Sequence, residues 1–144
     1  MSISENEFSW PIRVYYEDTD SGGVVYYANY LKFMERARTE MLRSMGFEQD
    51  QLIEEQGVIF AVHSLSVQYK KPAVFNDELV VKSKIIDCRR ASLNFSQTVL
   101  RVADETILCE SEIKIACLSV EKFTSMAIPK TMWSKIKQEA GSGS

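Results

Sequence analysis

Histidine is almost absent from this sequence, since His63 is the single one among 144 residues. One histidine excludes a metal site with two or three histidine ligands within one chain, and any Ser-His-Asp or Cys-His arrangement would have to use it. Cysteine is scarce too, and three cysteines cannot all pair within one chain. The first seven residues are acidic and lack the apolar core of a secretory signal. We therefore expect reduced thiols and a cytoplasmic protein.

Long apolar runs and dense basic clusters are also missing. No apolar run approaches the roughly 20 residues that cross a bilayer, so no membrane span is expected. The net charge is −3, and the densest basic stretches are the pairs Lys70-Lys71 and Arg89-Arg90. A protein that follows a nucleic-acid backbone needs a clustered basic face, so we expect no nucleic-acid partner. Such a pair beside a pocket could still hold one phosphorylated group.

Length and composition indicate a single folded domain. The chain is 45% apolar and 26% charged, which is typical of a globular protein, and its length fits one hydrophobic core. We expect this domain to span residues 1–140. The last four residues, 141–144, alternate glycine and serine as an appended linker does, and we expect them to lie outside the domain.

Hydrophobic periodicity predicts a strand, a long helix and then a run of strands. The first strand is expected at 8–17 and the helix at 28–46, with Asn29 near its N-cap and Gly46 just past its end. A short helix at 49–55 should stop at Gly57. Alternating apolar and polar residues then predict strands at 59–69, 79–85, 93–99 and 107–117, before a short helix that follows Pro129.

This order of elements predicts an α+β fold with a five-stranded antiparallel sheet and one long central helix. Short polar connections at 88–91 and 103–105 indicate antiparallel hairpins. A single helix covers one face of such a sheet. The other face must be polar or pair with another subunit, so we expect a homo-oligomer.

The loop at 17–30 carries three carboxylates and two glycines before the helix begins. A calcium loop is rejected because Gly22 and Asn29 stand where the EF-hand pattern needs ligands. Two interpretations remain open on the residues alone. Asp18 and Asp20 can satisfy backbone donors in a turn. Alternatively, one carboxylate attacks a carbonyl or activates water, while the unpaired N–H groups of the helix N-terminus hold the oxyanion.

Residues 15–42, YYEDTDSGGVVYYANYLKFMERARTEML, closely resemble the signature of the YbgC-type acyl-CoA thioesterases. These belong to the hydroxybenzoyl-CoA thioesterase branch of the hot-dog fold. The block VQYKKPA at 67–73 with Asp77, and the segment 90–97, are similar to the same family. The resemblance extends from about Trp10 to Pro129. The fold it implies, a curved antiparallel sheet wrapped around one long helix, agrees with the predicted order of elements.

The resemblance implies that Asp20 is the catalytic carboxylate, acting as nucleophile or general base on a thioester carbonyl. It also implies that the backbone N–H of Tyr27 receives the thioester oxygen. No metal or redox cofactor is expected, and coenzyme A enters only as part of the substrate. The expected substrate-binding residues are Gly23, Val25, Tyr26, Lys71 and Arg90. Basic side chains among them would contact the phosphates of coenzyme A. Because family members place their sites between subunits, we expect a homodimer or homotetramer.

Tyr27 departs from the YbgC pattern, which usually has histidine at this position, and matches the hydroxybenzoyl-CoA branch. A phenol donates a hydrogen bond but is a poorer general base than imidazole. The acyl group of the expected substrate can therefore be either a short aliphatic chain or an aryl group. The alternative is a scaffold that binds acyl groups or an acyl carrier protein at the cell envelope with little or no hydrolysis, although an intact Asp20 favours catalysis. A hydratase would be expected to place a histidine in the site, and this motif has none.

The remaining reactive side chains are expected to be structural. His63 is interpreted as a structural histidine on the apolar side of its strand, far in sequence from the motif. Cys109 and Cys117 should be small core residues, and Cys88 an inert thiol at a strand end.

Overall fold

The fold is a five-stranded antiparallel sheet packed on one long helix, which confirms the expected α+β hot-dog architecture. The computed structural model describes residues 7–139, so the linker expected at 141–144 lies outside the described residues. The strands are β1 (Phe8–Arg13), β2 (Val58–Tyr69), β3 (Glu78–Cys88), β4 (Ser92–Arg101) and β5 (Ile107–Ser119). Their order in the sheet is β1-β3-β4-β5-β2. The helices are α1 (Tyr27–Ser44), α2 (Gln49–Gln51) with a π-helical continuation at Leu52–Gln56, and α3 (Lys130–Glu139).

The long helix α1 buries the apolar stripe that its sequence predicts. The buried members of this stripe are Tyr30, Phe33, Met34, Ala37, Met41, Leu42 and Met45. The large apolar side chains among them each contribute about 1.5–3 kcal/mol when they leave water. The helix ends as expected, because Gly46 follows it in the left-handed region at φ +98°. No helix within residues 7–139 is both long and apolar enough to cross a membrane.

Arg38 on α1 is buried although it is charged. Only 8% of this residue is exposed. Its Nη1 donates a 2.9 Å hydrogen bond to Oε1 of Gln97 on β4. The Nε2 of Gln97 donates in turn to the carbonyl of Met34 at 2.9 Å and to Oγ of Ser83 at 2.8 Å. Three polar side chains and the carbonyl of Met34 thus join α1 to the sheet inside an apolar core.

The first strand is shorter than the predicted 8–17. It ends at Arg13, and Tyr16–Asp18 form a 3-10 turn instead. The turn is stabilised by Asp18, whose Oδ2 accepts from the backbone N–H of Tyr15 at 2.8 Å. The expected N-cap role of Asn29 is also wrong, because α1 begins two residues earlier. Its side-chain amide instead donates to the carbonyl of Asp18 at 2.8 Å and ties the turn to the helix.

Strand β2 is an edge strand with a β-bulge at His63, which the alternation of the sequence did not predict. Val62 pairs with Ile115 and Ser64 with Lys114, so His63 is the extra residue. The bulge reverses the predicted alternation before it. Residues 60 and 62 share the helix side of the sheet with 65, 67 and 69, and His63 itself is exposed. The expectation that His63 lies on an apolar side is therefore wrong.

The sheet face away from α1 is polar where β2, β4 and β5 lie side by side. The side chains there are Ser66, Gln68, Ser96, Thr98, Glu110 and Glu112. This face therefore carries the polar character that sequence analysis allowed for a sheet face without a helix.

Candidate active site

A tight turn presents Asp20 immediately before α1. The N–H of Asp20 donates to the carbonyl of Val24 at 2.9 Å, and the N–H of Gly23 donates to the carbonyl of Asp20 at 3.0 Å. Gly23 has φ +84°, a conformation that costs residues with a Cβ about 1–2 kcal/mol. The turn is therefore closed by its own backbone, and glycine is required at its sharpest point.

The two carboxylate oxygens of Asp20 have different environments. Oδ1 accepts a 2.8 Å hydrogen bond from the N–H of Gly22, which fixes the side-chain rotamer. Oδ2 has no hydrogen-bond or ion-pair partner among residues 7–139. The structural and catalytic interpretations of this carboxylate are thus compatible, because one oxygen holds the turn and the other is available to a reactant.

The N-terminus of α1 is open beside this turn. Its N-cap residue, Tyr26, makes no side-chain capping bond, and the first turn contains no acidic residue. The N–H of Asn29 bonds back to the carbonyl of Tyr26 at 2.9 Å. Within the described part of the chain, the N–H groups of Tyr27 and Ala28 have no acceptor. Such groups carry the partial positive charge of the helix dipole and can bind an oxyanion.

A cavity of about 350 Å³ joins the turn, the helix N-terminus and the end of β2. Its lining residues are Asp20, Val24, Val25, Tyr26, Tyr27, Tyr30, Tyr69, Lys70, Lys71 and Pro72. Asp20, with its unpaired oxygen, and Tyr27, with its unpaired backbone N–H, thus line one cavity. Its walls are largely aromatic and apolar, as in binding sites for small organic groups.

Tyrosine rings form one wall of this cavity. The ring centroids of Tyr27 and Tyr69 lie 4.7 Å apart, and those of Tyr30 and Tyr69 lie 5.6 Å apart. The Tyr69 hydroxyl donates to the carbonyl of Tyr27 at 3.4 Å. Partial burial raises the pKa of the Tyr69 phenol, so it stays protonated and able to donate. Tyr27 itself is 65% exposed, which leaves its ring accessible to a ligand.

Five of the residues predicted for the site line the cavity together: Asp20, Val25, Tyr26, Tyr27 and Lys71. Gly23 contributes to the turn and is not among the lining residues. Arg90 lies in the turn between β3 and β4, where it lines a separate cavity of about 470 Å³ with Lys130 and Trp133. The structure of one chain therefore does not bring Arg90 to Asp20.

Four lining residues had no predicted catalytic or binding role: Val24, Tyr30, Tyr69 and Pro72. Val24 lies in the 15–42 block and Tyr30 in the apolar stripe of α1, whereas Tyr69 and Pro72 belong to the 67–73 block, which is similar to the same family. The similarity of the 67–73 block to the family was the one sequence feature that could have pointed to Tyr69 and Pro72. It did not indicate that the block would contact the N-terminus of the long helix.

The thiols match their structural interpretation. Cys88, Cys109 and Cys117 are free and buried. Burial raises the pKa of the Cys109 thiol, with a smaller contribution from Glu110, and burial alone raises that of Cys117, in both cases to about 11. Thiols with raised pKa values are poor nucleophiles. Within residues 7–139, no group of three or more His, Cys, Asp or Glu side chains is arranged to hold a metal ion.

Comparison with known proteins yields consistent matches over most of the chain. A model of the thioesterase-like superfamily matches residues 14–136. The acyl-CoA thioester hydrolase YbgC of Escherichia coli O6:H1 is 45% identical over 131 residues, covering 91% of this chain and 96% of that protein. The acyl-CoA thioesterase YbgC of Haemophilus influenzae is 44% identical over 126 residues, covering 88% and 91%.

Solved structures share the fold. A probable thioesterase from Bartonella henselae superimposes with a TM-score of 0.80 at 32% identity, covering 85% of this chain and 99% of that one. A mutant 4-hydroxybenzoyl CoA thioesterase complexed with 4-hydroxybenzoyl CoA superimposes with a TM-score of 0.85 at 18% identity, covering 91% and 99%. At the lower identity the likeness concerns the fold alone.

Proposed function

Because this chain belongs to the thioesterase-like superfamily and is an acyl-CoA thioesterase of the YbgC type, we propose that Asp20 and the N-terminus of α1 carry out the hydrolysis. The observation that supports this assignment is their arrangement around one cavity. Asp20, whose Oδ2 is unpaired, and Tyr27, whose backbone N–H is unpaired, both line it. A carboxylate and an oxyanion donor facing one space are the two groups that acyl transfer needs.

The thioester carbonyl oxygen accepts a hydrogen bond from the N–H of Tyr27, which stabilises the negative charge that develops there. Two routes follow. Asp20 attacks the carbonyl carbon, the C–S bond breaks, coenzyme A leaves as a thiolate that is then protonated, and water cleaves the mixed anhydride. Alternatively, Asp20 takes a proton from a water molecule that attacks the same carbon. The C–S bond breaks as the tetrahedral intermediate collapses, and coenzyme A leaves as a thiolate that takes up the proton from Asp20.

The tyrosine-lined wall takes the acyl group in this proposal. Rings of Tyr27 and Tyr69 offer flat apolar surface, which suits a short aliphatic chain or an aryl group. Coenzyme A is much longer than the cavity, so its phosphates lie beyond it. We assign Lys71 at the cavity and Arg90 in its separate cavity as phosphate contacts, because basic side chains bind phosphate strongly.

The edge strand β2 is the proposed contact between subunits of a homodimer, which can pair further into a homotetramer. Val62 and Leu65 on its helix side are 49% and 45% exposed, although residues of this type are usually buried. They line a groove of about 420 Å³ against α1. An exposed apolar edge favours pairing with another strand. Size-exclusion chromatography with light scattering should give a dimer or tetramer, and Leu65→Arg should shift the mass toward the monomer.

We also infer a reducing, cytoplasmic location, supported by three free thiols. The alternative function, a scaffold at the cell envelope for acyl groups or acyl carrier protein, is supported by Tyr27, which stands where YbgC-type chains usually have histidine. The available oxygen of Asp20 favours hydrolysis, because a scaffold has no use for an unpaired carboxylate at a thioester.

A panel of aliphatic and aryl acyl-CoA thioesters, assayed by release of free thiol, tests the assignment. Wild type should hydrolyse at least one member, and Asp20→Asn should lose about 100-fold or more in kcat, as expected for loss of an essential nucleophile or base. Asp18→Asn is the matched control. It makes the same change two residues away, where the carboxylate bonds Tyr15 and does not line the cavity, and it should stay within about 3-fold of wild type.

Equal rates for Asp20→Asn and wild type would remove Asp20 from the mechanism. Absence of turnover across the panel, together with measurable binding of acyl carrier protein, would establish the scaffold instead. A single turnover in ¹⁸O-labelled water tests for the anhydride. Label in the Asp20 carboxylate shows that the anhydride formed and that water opened it at the Asp20 carbonyl, whereas label confined to the released acid shows that water attacked the acyl carbon, of either the thioester or the anhydride.

A further inference from the structure

Arg101, at the end of β4, contacts three acceptors on two different segments. Its Nε lies 3.2 Å from Oδ2 of Asp77, its Nη2 donates to the carbonyl of Pro72 at 3.0 Å, and its Nη1 lies 3.1 Å from Oδ2 of Asp104. The side chain is 22% exposed. A planar guanidinium can donate in three directions at once, which a lysine ammonium on a flexible chain cannot do with the same geometry.

The segment 72–77, which we call the clamp loop, is also closed by hydrogen bonds between its own residues. Oδ2 of Asp77 accepts from the N–H of Val74 at 3.0 Å, and the N–H of Asp77 donates to the carbonyl of Val74 at 3.0 Å. Arg101 therefore binds the first residue of the loop through a carbonyl and the last through a carboxylate. This arrangement fixes both ends of the loop relative to the sheet.

Ala73, in the middle of the clamp loop, forms hydrogen bonds with two residues that line the cavity. The carbonyl of Ala73 accepts from the N–H of Val25 at 2.8 Å, and the N–H of Ala73 donates to the hydroxyl of Tyr30 at 3.0 Å. Ala73 is fully buried, so neither bond has a water molecule to replace it. The position of Ala73 thus determines where Val25 and Tyr30 stand.

The clamp loop also reaches the turn of Asp20. Val74 forms an isolated β-bridge with Val24, and the carbonyl of Val24 accepts from the N–H of Asp20 at 2.9 Å. The hydrogen bond from Val25 to Ala73 and the hydrogen bond from Asp20 to the adjacent Val24 therefore connect the loop that Arg101 holds to the backbone of Asp20.

We propose that Arg101 is a positioning residue for thioester hydrolysis, acting through Asp77 and the clamp loop on the turn that carries Asp20. This inference rests on the proposed role of Asp20. Arg101 is not among the residues that line the cavity, so its proposed action is through the loop. Its effect is geometric, since displacement of a reacting group by about 1 Å lowers a rate by up to about 100-fold.

The test compares Arg101→Met and Asp77→Asn with a matched control, Arg43→Met. Arg43 also contacts two carboxylates, those of Glu40 and Glu48, but it lies at the opposite end of α1 from the cavity. We expect kcat to fall about 10- to 100-fold in the first two variants, with KM within about 3-fold of wild type. The Arg43→Met control should keep kcat within about 2-fold.

A merely structural role would lower the midpoint of urea unfolding without changing kcat of the folded enzyme. Rates are therefore measured well below the midpoint, on protein whose circular dichroism matches wild type. A kcat within about 3-fold of wild type in folded Arg101→Met overturns the proposal. If that variant does not fold, Arg101→Lys and Asp77→Asn decide by the same criterion. Should neither arginine variant fold, Asp77→Asn decides alone.

The double variant Arg101→Met/Asp77→Asn adds a second criterion. If the two residues act as one clamp, its kcat should equal that of the lower single variant, whereas multiplied losses would show independent action and overturn the proposal. Asp20→Asn, assayed beside these variants, distinguishes failure of the proposed function from failure of the positioning role. Full activity in Asp20→Asn refutes the proposed function, while its loss alongside unchanged Arg101→Met refutes only the positioning role.

Discussion

Replacing Gln97 by leucine removes the centre of the buried polar network between α1 and the sheet. The two side chains are similar in size, so the change deletes hydrogen bonds with little change in packing. Three bonds disappear: one from the Arg38 guanidinium and two from the Gln97 amide to Met34 and Ser83. Burial already lowers the pKa of Arg38, an effect that Glu35 offsets only in part. Its charge would then lose the acceptor that compensates for desolvation.

The expected loss of stability is large for a single substitution. A buried hydrogen bond to a charged group contributes about 1.5–3 kcal/mol and a neutral one about 0.5–1.5 kcal/mol, so we expect Gln97→Leu to lower the free energy of unfolding by about 3–5 kcal/mol. Urea titration followed by circular dichroism at constant m-value measures this quantity. A loss below about 1 kcal/mol would refute the inference that the network stabilises the fold.

The double variant Arg38→Met/Gln97→Leu separates the network from simple packing. Replacing both partners by apolar residues leaves no stranded charge, so the double variant should be more stable than Gln97→Leu alone by at least about 1.5 kcal/mol. If the second substitution instead lowers the free energy of unfolding further, Gln97→Leu did not leave Arg38 as an unpaired buried charge. The energetic argument would then fail even if Gln97→Leu is destabilising.

Two further predictions concern buried groups. Tyr30→Phe removes the acceptor of the buried Ala73 N–H and should lower the free energy of unfolding by about 1–3 kcal/mol, whereas the exposed Tyr16→Phe should change it by less than about 0.5 kcal/mol; equal effects would contradict the bond. Cys109 and Cys117 have pKa values raised from 9.0 to about 11 by burial. The unfolded thiols ionise first, so their contribution is complete below about pH 9 and is lost as the pH rises toward 11. The urea midpoint should fall more steeply over this range in wild type than in Cys109→Ala/Cys117→Ala, and parallel curves would contradict the assignment.

Much of the fold follows from local patterns. The apolar stripe of α1 and the alternation in β3, β4 and β5 depend on the side chains of each element alone, and both predictions are confirmed. The bulge at His63 was missed because it depends on the register of β2 against β5, which no local pattern contains. Arg38 was missed because an arginine between apolar residues resembles a surface charge until its buried acceptor, Gln97, is known.

Some residues of the candidate site could likewise be assigned from local sequence, and others could not. The turn at 20–25 combines short polar residues, glycines and the start of a helix, so its chemistry could be proposed from adjacent residues. Tyr69, Lys70 and Pro72 could not be assigned to it, since about 45 residues separate them from the turn. They reach the cavity because β2 pairs with β5 at one edge of the sheet and its end comes beside the helix N-terminus.

The sequence by itself determined the elements of this protein, its family and the turn that carries Asp20, because these depend on residues that are near one another along the chain. Only the tertiary structure decided which cavity Asp20 faces, which tyrosines line that cavity and how Arg101 reaches the clamp loop. Those features are contacts between distant segments. Their geometry is set by strand order and register, which emerge only when the whole sheet has formed.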